Sequence, residues 1–434
     1  MRKKKNAFTL IELLAVIVIL AVILVISIPR ILDVIETSKK DSFKNAAQLI
    51  ADSAEKKKAS NKLLDKDEEI TCKDVAKIND EDYASCIISF DENGNAKVSI
   101  TGKGKFDGLK ITNGTKENAE VKEITKPTYG MKATEYITNL LEYDGEGLKI
   151  DNTKDQNIRY YGSDPNNYVR FNNELWRIIG VFGNNVKLVR SESLGNLSWD
   201  SSANNVNYGS GINQWGESTH EDGSYYEGAD LQVYLNKMYY GGDTTVTCYS
   251  SYNNQTITCP TGTIEETSKS LIDNHIWNTG ATEYNMRTDT LAFYQAERGS
   301  VNGKICSSGK MCNDTVNRTT TWPGYIGLPY GTDWAYASSE SVCETNMQTK
   351  DDSNVYICKN NNWMQRNTWA WYLSPVGNLS YAFNAWSVSG GGGAGSNSAA
   401  NSYAVAPSIY LKSNVLIESG TGTNTDPYTL KLSN

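Results

Sequence analysis

The chain has 434 residues, a formal net charge of −8, 39% hydrophobic residues and 10% aromatic residues. This composition can bury sizeable cores in two or three domains, and it argues against a disordered chain or a general nucleic-acid binder, which would carry a basic stripe. Only two histidines occur, which argues against histidine-based metal sites and catalytic triads.

The first element is an apolar segment behind a basic leader. Four basic residues occupy positions 2–5, and every residue from Leu13 to Ile28 except Ser27 is apolar. Sixteen helical residues rise about 24 Å, and with residues 8–11 the segment approaches the ~30 Å of a bilayer core. The basic flank predicts a cytoplasmic N-terminus and an exported remainder.

Three interpretations of this segment compete. A cleaved signal peptide should end at a small-residue cleavage site, but here the chain runs from Ile28 through Pro29 into more helical sequence. A plain signal anchor explains the apolar run and its basic flank. It does not explain Glu12, because an acid inside the span is costly and usually functional.

The third interpretation rests on residues 7–13, Ala-Phe-Thr-Leu-Ile-Glu-Leu. This run closely resembles the class III signal of type IV prepilins and pseudopilins, which a membrane peptidase cleaves on the cytoplasmic side and methylates. The resemblance implies cleavage between Ala7 and Phe8 and N-methylation of Phe8, although the family usually has glycine where this chain has Ala7. It also assigns Glu12 to assembly: its carboxylate pairs with the Phe8 amine of a neighbouring subunit, since an unpaired charge near lipid is expensive.

A long helix is expected over residues 8–64. Pro29 should interrupt or kink it, because proline lacks an N–H and clashes with the preceding turn. Beyond Pro29, apolar or small residues recur at three-to-four spacing, which predicts an amphipathic helix. Its apolar face contains Leu32, Ile35, Phe43, Ala46, Ala47, Ile50 and Ala54. The resemblance implies a lower half in the membrane or filament core and an upper half under a head domain.

Residues 65–127 are expected to form a small antiparallel β head. Turn signals there separate short candidate strands at 84–90, 96–101, 109–112 and 121–124. Pro127 marks the boundary, and 133–141 reads as a short helix that starts the next domain.

Residues 128–434 form the predicted C-terminal domain. A hairpin is expected with Asn172-Asn173 at its turn and 186–190 as a third strand, followed by amphipathic helices at 230–240 and 267–277. Sequence blocks at 175–179, 325–328, 369–375, 405–411 and 420–428 are similar to domains of bacterial surface proteins related to the C-type-lectin-like fold. That resemblance implies a binding or display role and no particular ligand.

The eight cysteines are expected to form disulfides, because an even count in an exported chain favours them. The sequence leaves the connectivity open, and nearest-neighbour pairing gives the candidate pairs. These are Cys72–Cys86, Cys248–Cys259, Cys306–Cys312 and Cys343–Cys358.

We find no catalytic constellation in the sequence, so the chain is expected not to be an enzyme. His220 precedes two acids but has no nucleophile motif, and the glycines at 390–395 lack the ending of a P-loop. No cofactor or metal is expected. Acids that could nevertheless coordinate calcium, as in some lectin-like domains, are Asp333, Glu340, Asp351 and Asp352.

Four tryptophans are candidates for a sugar- or peptide-binding surface, because exposed aromatic rings stack well on ligands. They are Trp363, Trp369, Trp371 and Trp386. Core packing is the competing interpretation for each of them.

The whole sequence predicts an α+β protein: leader 1–7, helix 8–64, β head 65–127 and lectin-like domain 128–434. The leading hypothesis is a type IV pilin-like subunit, minor or at a filament tip, that displays a binding or adhesion domain outside a bacterial cell after a membrane-anchored precursor stage. Expected partners are other pilin subunits, a prepilin peptidase, the membrane and a surface glycan or protein, without specific nucleic acid. The alternatives are a pseudopilin of a type II secretion or DNA-uptake machine and, last, a membrane-anchored envelope enzyme.

Overall fold

The computed structural model describes residues 10–66, 68–76, 81–201, 213–219, 223, 225–250, 255–301, 304–305, 319–351, 353–377 and 383–433. The fold is α+β, with a long N-terminal helix and several antiparallel sheets, as the sequence predicts. The chain forms two compact units. The first unit contains residues 1–126 and 142–144, and the second contains 127–141 and 145–434.

Helix α1 runs from Leu10 to Leu63 without a break. The prediction that Pro29 interrupts the helix is therefore wrong for the isolated subunit, because Pro29 lies inside α1. A proline removes one backbone donor, and the turns on either side of it can keep their own hydrogen bonds. A kink at Pro29 within a filament stays a prediction.

The upper half of α1 packs on the small sheet of the first unit. Its buried side chains recur on one face, at Phe43, Ala47, Ile50, Ala51 and Ala54. Phe43 lies 5.2 Å from the Phe106 ring, measured between centroids. Leu32 and Ile35, which the sequence places on the same face, are exposed. The sheet therefore begins to cover the helix above residue 35.

The sheet of the first unit is antiparallel, with strand order β1-β2-β3-β4. Its strands lie close to the predicted ranges, and a short helix, α2, precedes them. The elements are α2 Cys72–Val75, β1 Tyr83–Phe90, β2 Ala96–Gly102, β3 Leu109–Gly114 and β4 Lys122–Glu123.

The second unit is mainly β structure with short helices. The helices are α3 Ala133–Tyr143, α4 Asp230–Val233, α5 Glu266–Lys269, α6 Thr290–Glu297 and α7 Gly331–Tyr336. The strands up to residue 257 are β5 Leu148–Ile150, β6 Ile158–Tyr160, β7 Tyr168–Phe171, β8 Glu174–Phe182, β9 Asn185–Arg190, β10 Asn196–Ser198, β11 Ser218–Thr219, β12 Tyr225–Tyr226, β13 Cys248–Tyr249 and β14 Thr256–Ile257. The later strands are β15 His275–Asn278, β16 Ser300–Val301, β17 Lys304–Ile305, β18 Thr321–Gly324, β19 Ile326–Gly327, β20 Ala370–Pro375, β21 Asn384–Val388, β22 Ala394–Ser398, β23 Ser402–Ala404, β24 Ser408–Tyr410, β25 Val415–Ser419 and β26 Thr429–Leu432.

Two larger sheets organise the second unit. The first has the order β19-β24-β9-β8-β6-β5, with β7 also paired to β8, and the second has the order β10-β23-β20-β21-β22. The β7–β8 hairpin turns at Asn172 and Asn173, whose φ angles are 54° and 58°. Asparagine tolerates this left-handed conformation, which a two-residue type I′ hairpin turn requires at both central residues. The predicted hairpin is thus present with its predicted turn.

The sequence predicts two helices, at 230–240 and at 267–277, and the prediction for 267–277 is largely wrong. Residues 230–240 are helical, as α4 followed by a π-helical turn over Tyr234–Tyr240. In the other segment only Glu266–Lys269 is helical, and His275–Asn278 forms β15, which pairs with β18. The local pattern fits a helix, but a strand more than forty residues away in sequence decides the outcome.

The core of the second unit contains a fully buried ion cluster. Asp333 accepts hydrogen bonds from Arg159 Nη1 at 2.5 Å and from Lys187 Nζ at 2.6 Å. Arg159 Nε also donates to Asp151 Oδ2 at 2.9 Å. Burial alone would raise the pKa of Asp333, but Lys187 and Arg159 together lower it below its usual value. Each ion is neutralised by a partner, as buried charges require.

Three disulfides lie in the described residues, and they join the nearest-neighbour partners. Cys72 bonds to Cys86, Cys248 to Cys259 and Cys343 to Cys358, closing loops of 14, 11 and 15 residues. Loops of this size contribute roughly 2–3 kcal/mol each when unstrained. The Cys306–Cys312 pair lies outside the described residues.

Candidate functional site

The lower half of α1 presents apolar side chains all around its axis. Within the described residues, α1 is the one helix long and apolar enough to cross a membrane, and its apolar part is not buried by the rest of the chain. Leu10, Ile11, Leu24 and Ile35 are all more than half exposed. A helix that is hydrophobic on every side needs lipid or neighbouring helices around it. This segment is therefore suited to a lipid bilayer or to packing against other helices.

Glu12 lies in the first turn of α1. The first turn of a helix carries the positive end of the helix dipole, so a carboxylate is favoured there. Glu12 thus presents an acid within an otherwise apolar surface, close to the chain end that cleavage would create. Ala7 and Phe8, the predicted cleavage and methylation residues, lie outside the described residues, so their roles stay predictions.

Charged contacts fix the upper half of α1 on the sheet of the first unit. Lys40 pairs with Glu123 on β4, and the hydrogen bond to Glu123 raises the pKa of Lys40. Higher on the helix, Glu55 accepts from Lys116 at 2.7 Å and from the Ala96 backbone N–H at 3.1 Å. These contacts attach the small sheet above the apolar segment and leave that segment uncovered.

The four candidate tryptophans do not form one exposed aromatic surface, because three of them are buried; a contact of any of them with a ligand stays a prediction. Trp371 and Trp386 are each 1% exposed and Trp363 is 9% exposed. The indoles of Trp363 and Trp371 donate to the carbonyl oxygens of Tyr160 and Leu197, both at 2.9 Å. Trp386 packs edge-on against Phe293. Burial of these large rings within the second unit outweighs any use as an open platform.

Trp369 is the exception. It is 38% exposed and stacks on the Tyr403 ring, with 5.3 Å between centroids. A single exposed ring does not make a binding surface.

The acids considered for calcium do not converge. Asp333 is already bound by Arg159 and Lys187, while Asp351 accepts the Val355 backbone N–H at 2.9 Å. Asp352 and His220 lie outside the described residues. Among the residues that the structure describes, no group of three or more acids, cysteines or histidines is placed to hold a metal ion. Glu340 occupies the N-cap position of a 3₁₀ turn without a side-chain capping bond, and the glycines at 390–393 lie in the connection between β21 and β22.

The second unit contains a cavity that no sequence motif predicts. The cavity has a volume of about 240 Å³ and lies where β8 and β9 approach β20. We call it the arginine cavity. Its defining residues are Arg177, Arg190, Ser191, Trp363, Arg366 and Trp371. These residues come from two distant stretches of the chain, 177–191 and 363–371, and follow no motif, so only the fold shows that they meet.

Comparison with known proteins identifies the N-terminal segment. Residues 2–28 match the family described as the prokaryotic N-terminal methylation motif. Neither the curated proteins nor the solved structures give a match. The match supports a type IV pilin or pseudopilin-like subunit, with a prepilin peptidase and other pilin subunits as implied partners. It stops at residue 28, so the lectin-like resemblance of the C-terminal domain receives no support.

Proposed function

We propose that this chain is a minor, tip-located type IV pilin-like subunit that displays its second unit as a binding domain outside the cell. The observation that carries the proposal is the methylation motif at residues 2–28 together with helix α1, whose apolar half is exposed. A membrane-anchored precursor and a filament both cover such a helix, first with lipid and then with neighbouring α1 helices. The chain acts by assembly and binding and is not an enzyme.

The size of the second unit favours a minor subunit. It contains nearly all residues from 127 to 434, whereas the sheet packed on α1 has four short strands. In a helical lattice of α1 helices, a domain of this bulk on every subunit would crowd its neighbours. A subunit placed at the tip or incorporated sparsely avoids that conflict.

Immunogold electron microscopy with antibodies against the second unit tests this placement. We expect label at filament ends or at isolated points, with long unlabelled stretches between them. Uniform decoration of the shaft would contradict a minor role. Label confined to the envelope, without extended fibres, would instead identify a pseudopilin of a secretion or DNA-uptake machine. Antibodies against the main shaft subunit serve as the control for filament integrity.

A further inference from the structure

The arginine cavity lies between the two larger sheets of the second unit. Its walls come from β8, β9 and β20 and from the segment 363–366. Ligand pockets commonly measure about 300–1,000 Å³, so a cavity of about 240 Å³ suits a ligand no larger than a single sugar ring.

Two of the three guanidinium groups at the cavity already have carboxylate partners. Arg190 binds Glu174 with Nε–Oε2 at 2.7 Å and Nη2–Oε1 at 3.0 Å. Arg177 Nη2 donates to Asp164 Oδ1 at 2.9 Å. These two arginines are neutralised within the second unit.

Arg366 differs from the other two. Its Nη1 donates to the Ser191 carbonyl oxygen at 2.9 Å and its Nη2 to the Arg190 carbonyl oxygen at 3.0 Å. A guanidinium has five N–H donors, and within the described part of the chain no hydrogen bond uses the other three and no carboxylate forms an ion pair with Arg366. Burial lowers the pKa of Arg366, and Arg190 lowers it further, while Tyr372 and Glu192, which also line the cavity, act in the opposite direction. A partly buried cation with unused N–H donors and no carboxylate in direct contact gains from an anion beside it.

Ser191 provides a second polar group at the same place. Its Oγ atom is buried and has no hydrogen-bond partner among the residues that the structure describes. Buried hydroxyl groups are usually paired, so an unpaired one on a residue that lines a cavity is available to a ligand atom or a water molecule. Ser191 and Arg366 both line the cavity, and the Ser191 carbonyl accepts from Arg366.

The aromatic walls hold this arrangement in place. The indole N–H groups of Trp363 and Trp371 are fixed by backbone carbonyls. The Arg177 guanidinium lies 4.0 Å from the Tyr168 ring centroid and 4.7 Å from that of Trp363. A site whose groups are already ordered loses little conformational entropy when a ligand binds.

We propose that the arginine cavity binds a small ligand with one oxyanion group on a body no larger than a sugar ring, its oxyanion held by Arg366 and the Ser191 hydroxyl. A carboxylate and a phosphate share this chemistry, so an acidic sugar and a sugar phosphate are the two sources to compare. Binding at the cavity does not require a filament. Its role as the receptor site of a displayed domain rests on the proposed function.

Isothermal titration calorimetry on the full chain in detergent tests the proposal with three probes of similar size: glucuronate, glucose 6-phosphate and glucose. We expect at least one of the two anionic probes to bind, glucose not to bind, and added salt to weaken binding. Arg366→Gln should reduce affinity by about tenfold or more, because charge-assisted hydrogen bonds are lost. Arg366→Lys should retain part of the affinity, since it keeps the charge without the planar fork.

The matched control is Arg170→Gln, which removes the same charge from an exposed arginine outside the cavity on β7; its affinity should equal that of the unaltered chain. Near-ultraviolet circular dichroism of the tryptophans checks folding. If Arg366→Gln unfolds, Ser191→Ala replaces it, because its hydroxyl has no partner whose loss would disturb the fold. We expect weaker binding in this variant also.

The proposal is overturned if neither anionic probe binds, if glucose binds equally well, or if the folded Arg366 or Ser191 variants bind like the unaltered chain. The proposed function fails separately. Antibody label away from filaments, with anion binding intact, would reject surface display and leave the cavity assignment standing.

Discussion

Replacing Glu12 with alanine is expected to leave the protein in the membrane and to remove it from filaments. The apolar run that inserts into lipid is unchanged, because α1 keeps every hydrophobic side chain from Leu13 to Ile28. In the predicted pairing, the Phe8 amine of the neighbouring subunit would lose its carboxylate. Removing one partner of a desolvated ion pair costs roughly 3–5 kcal/mol. This corresponds to an association constant that is lower by about a hundredfold or more for each subunit contact.

The measurement is the ratio of chain in sheared filaments to chain in the membrane fraction. Glu12→Gln should behave like Glu12→Ala, because it keeps the size and loses the charge. Glu36→Gln is the matched control: Glu36 is an exposed acid on the same helix, paired with Lys40 at 3.0 Å, and its replacement should leave assembly normal. Filament levels of Glu12→Ala equal to those of the unaltered chain would show that the pairing role is wrong.

Replacing Asp333 with asparagine is expected to destabilise the second unit by about 3–5 kcal/mol. The carboxylate is 1% exposed and holds both Arg159 and Lys187, so its loss leaves two buried cations with one remaining carboxylate, Asp151. Chemical denaturation followed by tryptophan fluorescence measures the change, since all ten tryptophans lie in this unit. Glu227→Gln, which breaks an exposed pair with Lys237, should change stability little.

The same cluster gives a pH dependence whose sign follows from Asp333. Its pKa is lowered in the folded state by Lys187 and Arg159, against the effect of burial. A carboxyl with a lowered folded pKa contributes its full stability above the unfolded value of about 3.9 and loses it as the pH falls through the folded pKa. Acid unfolding of the unaltered chain should therefore steepen below about pH 4, and Asp333→Asn should flatten that slope. An unchanged slope, or an Asp333→Asn variant as stable as the Glu227→Gln control, would contradict the account of the cluster.

The sequence predicts most reliably where the signal is local. The apolar run, the strands of the small sheet and the Asn172-Asn173 turn are each specified by neighbouring residues, and the structure contains all of them. The helix predicted at 267–277 fails because β15 pairs with β18, whose residues lie in a distant part of the sequence. Pro29 is a local signal that does not decide the outcome: the helix continues on both sides of the proline.

The candidate sites divide in the same way. The methylation motif that contains Glu12 is recognisable from the sequence because it is contiguous, and residues 2–28 match a known family; the assembly role of Glu12 stays a prediction. The exposure of the candidate tryptophans could not be predicted, because it depends on the fold. Trp371 and Trp386 are buried, and the sequence alone does not distinguish a buried tryptophan from an exposed one. The contact between Arg366 and Ser191 could not be predicted, because the two residues lie 175 positions apart in the sequence.

Mass spectrometry of the N-terminus of the mature protein tests the central claim most directly. The account predicts a chain that begins at Phe8 and carries one methyl group on its amine, with Met1 to Ala7 removed. Cells without prepilin peptidase should retain the full leader. A mature chain that begins at Met1, or at a residue after the apolar run, would contradict the pilin assignment.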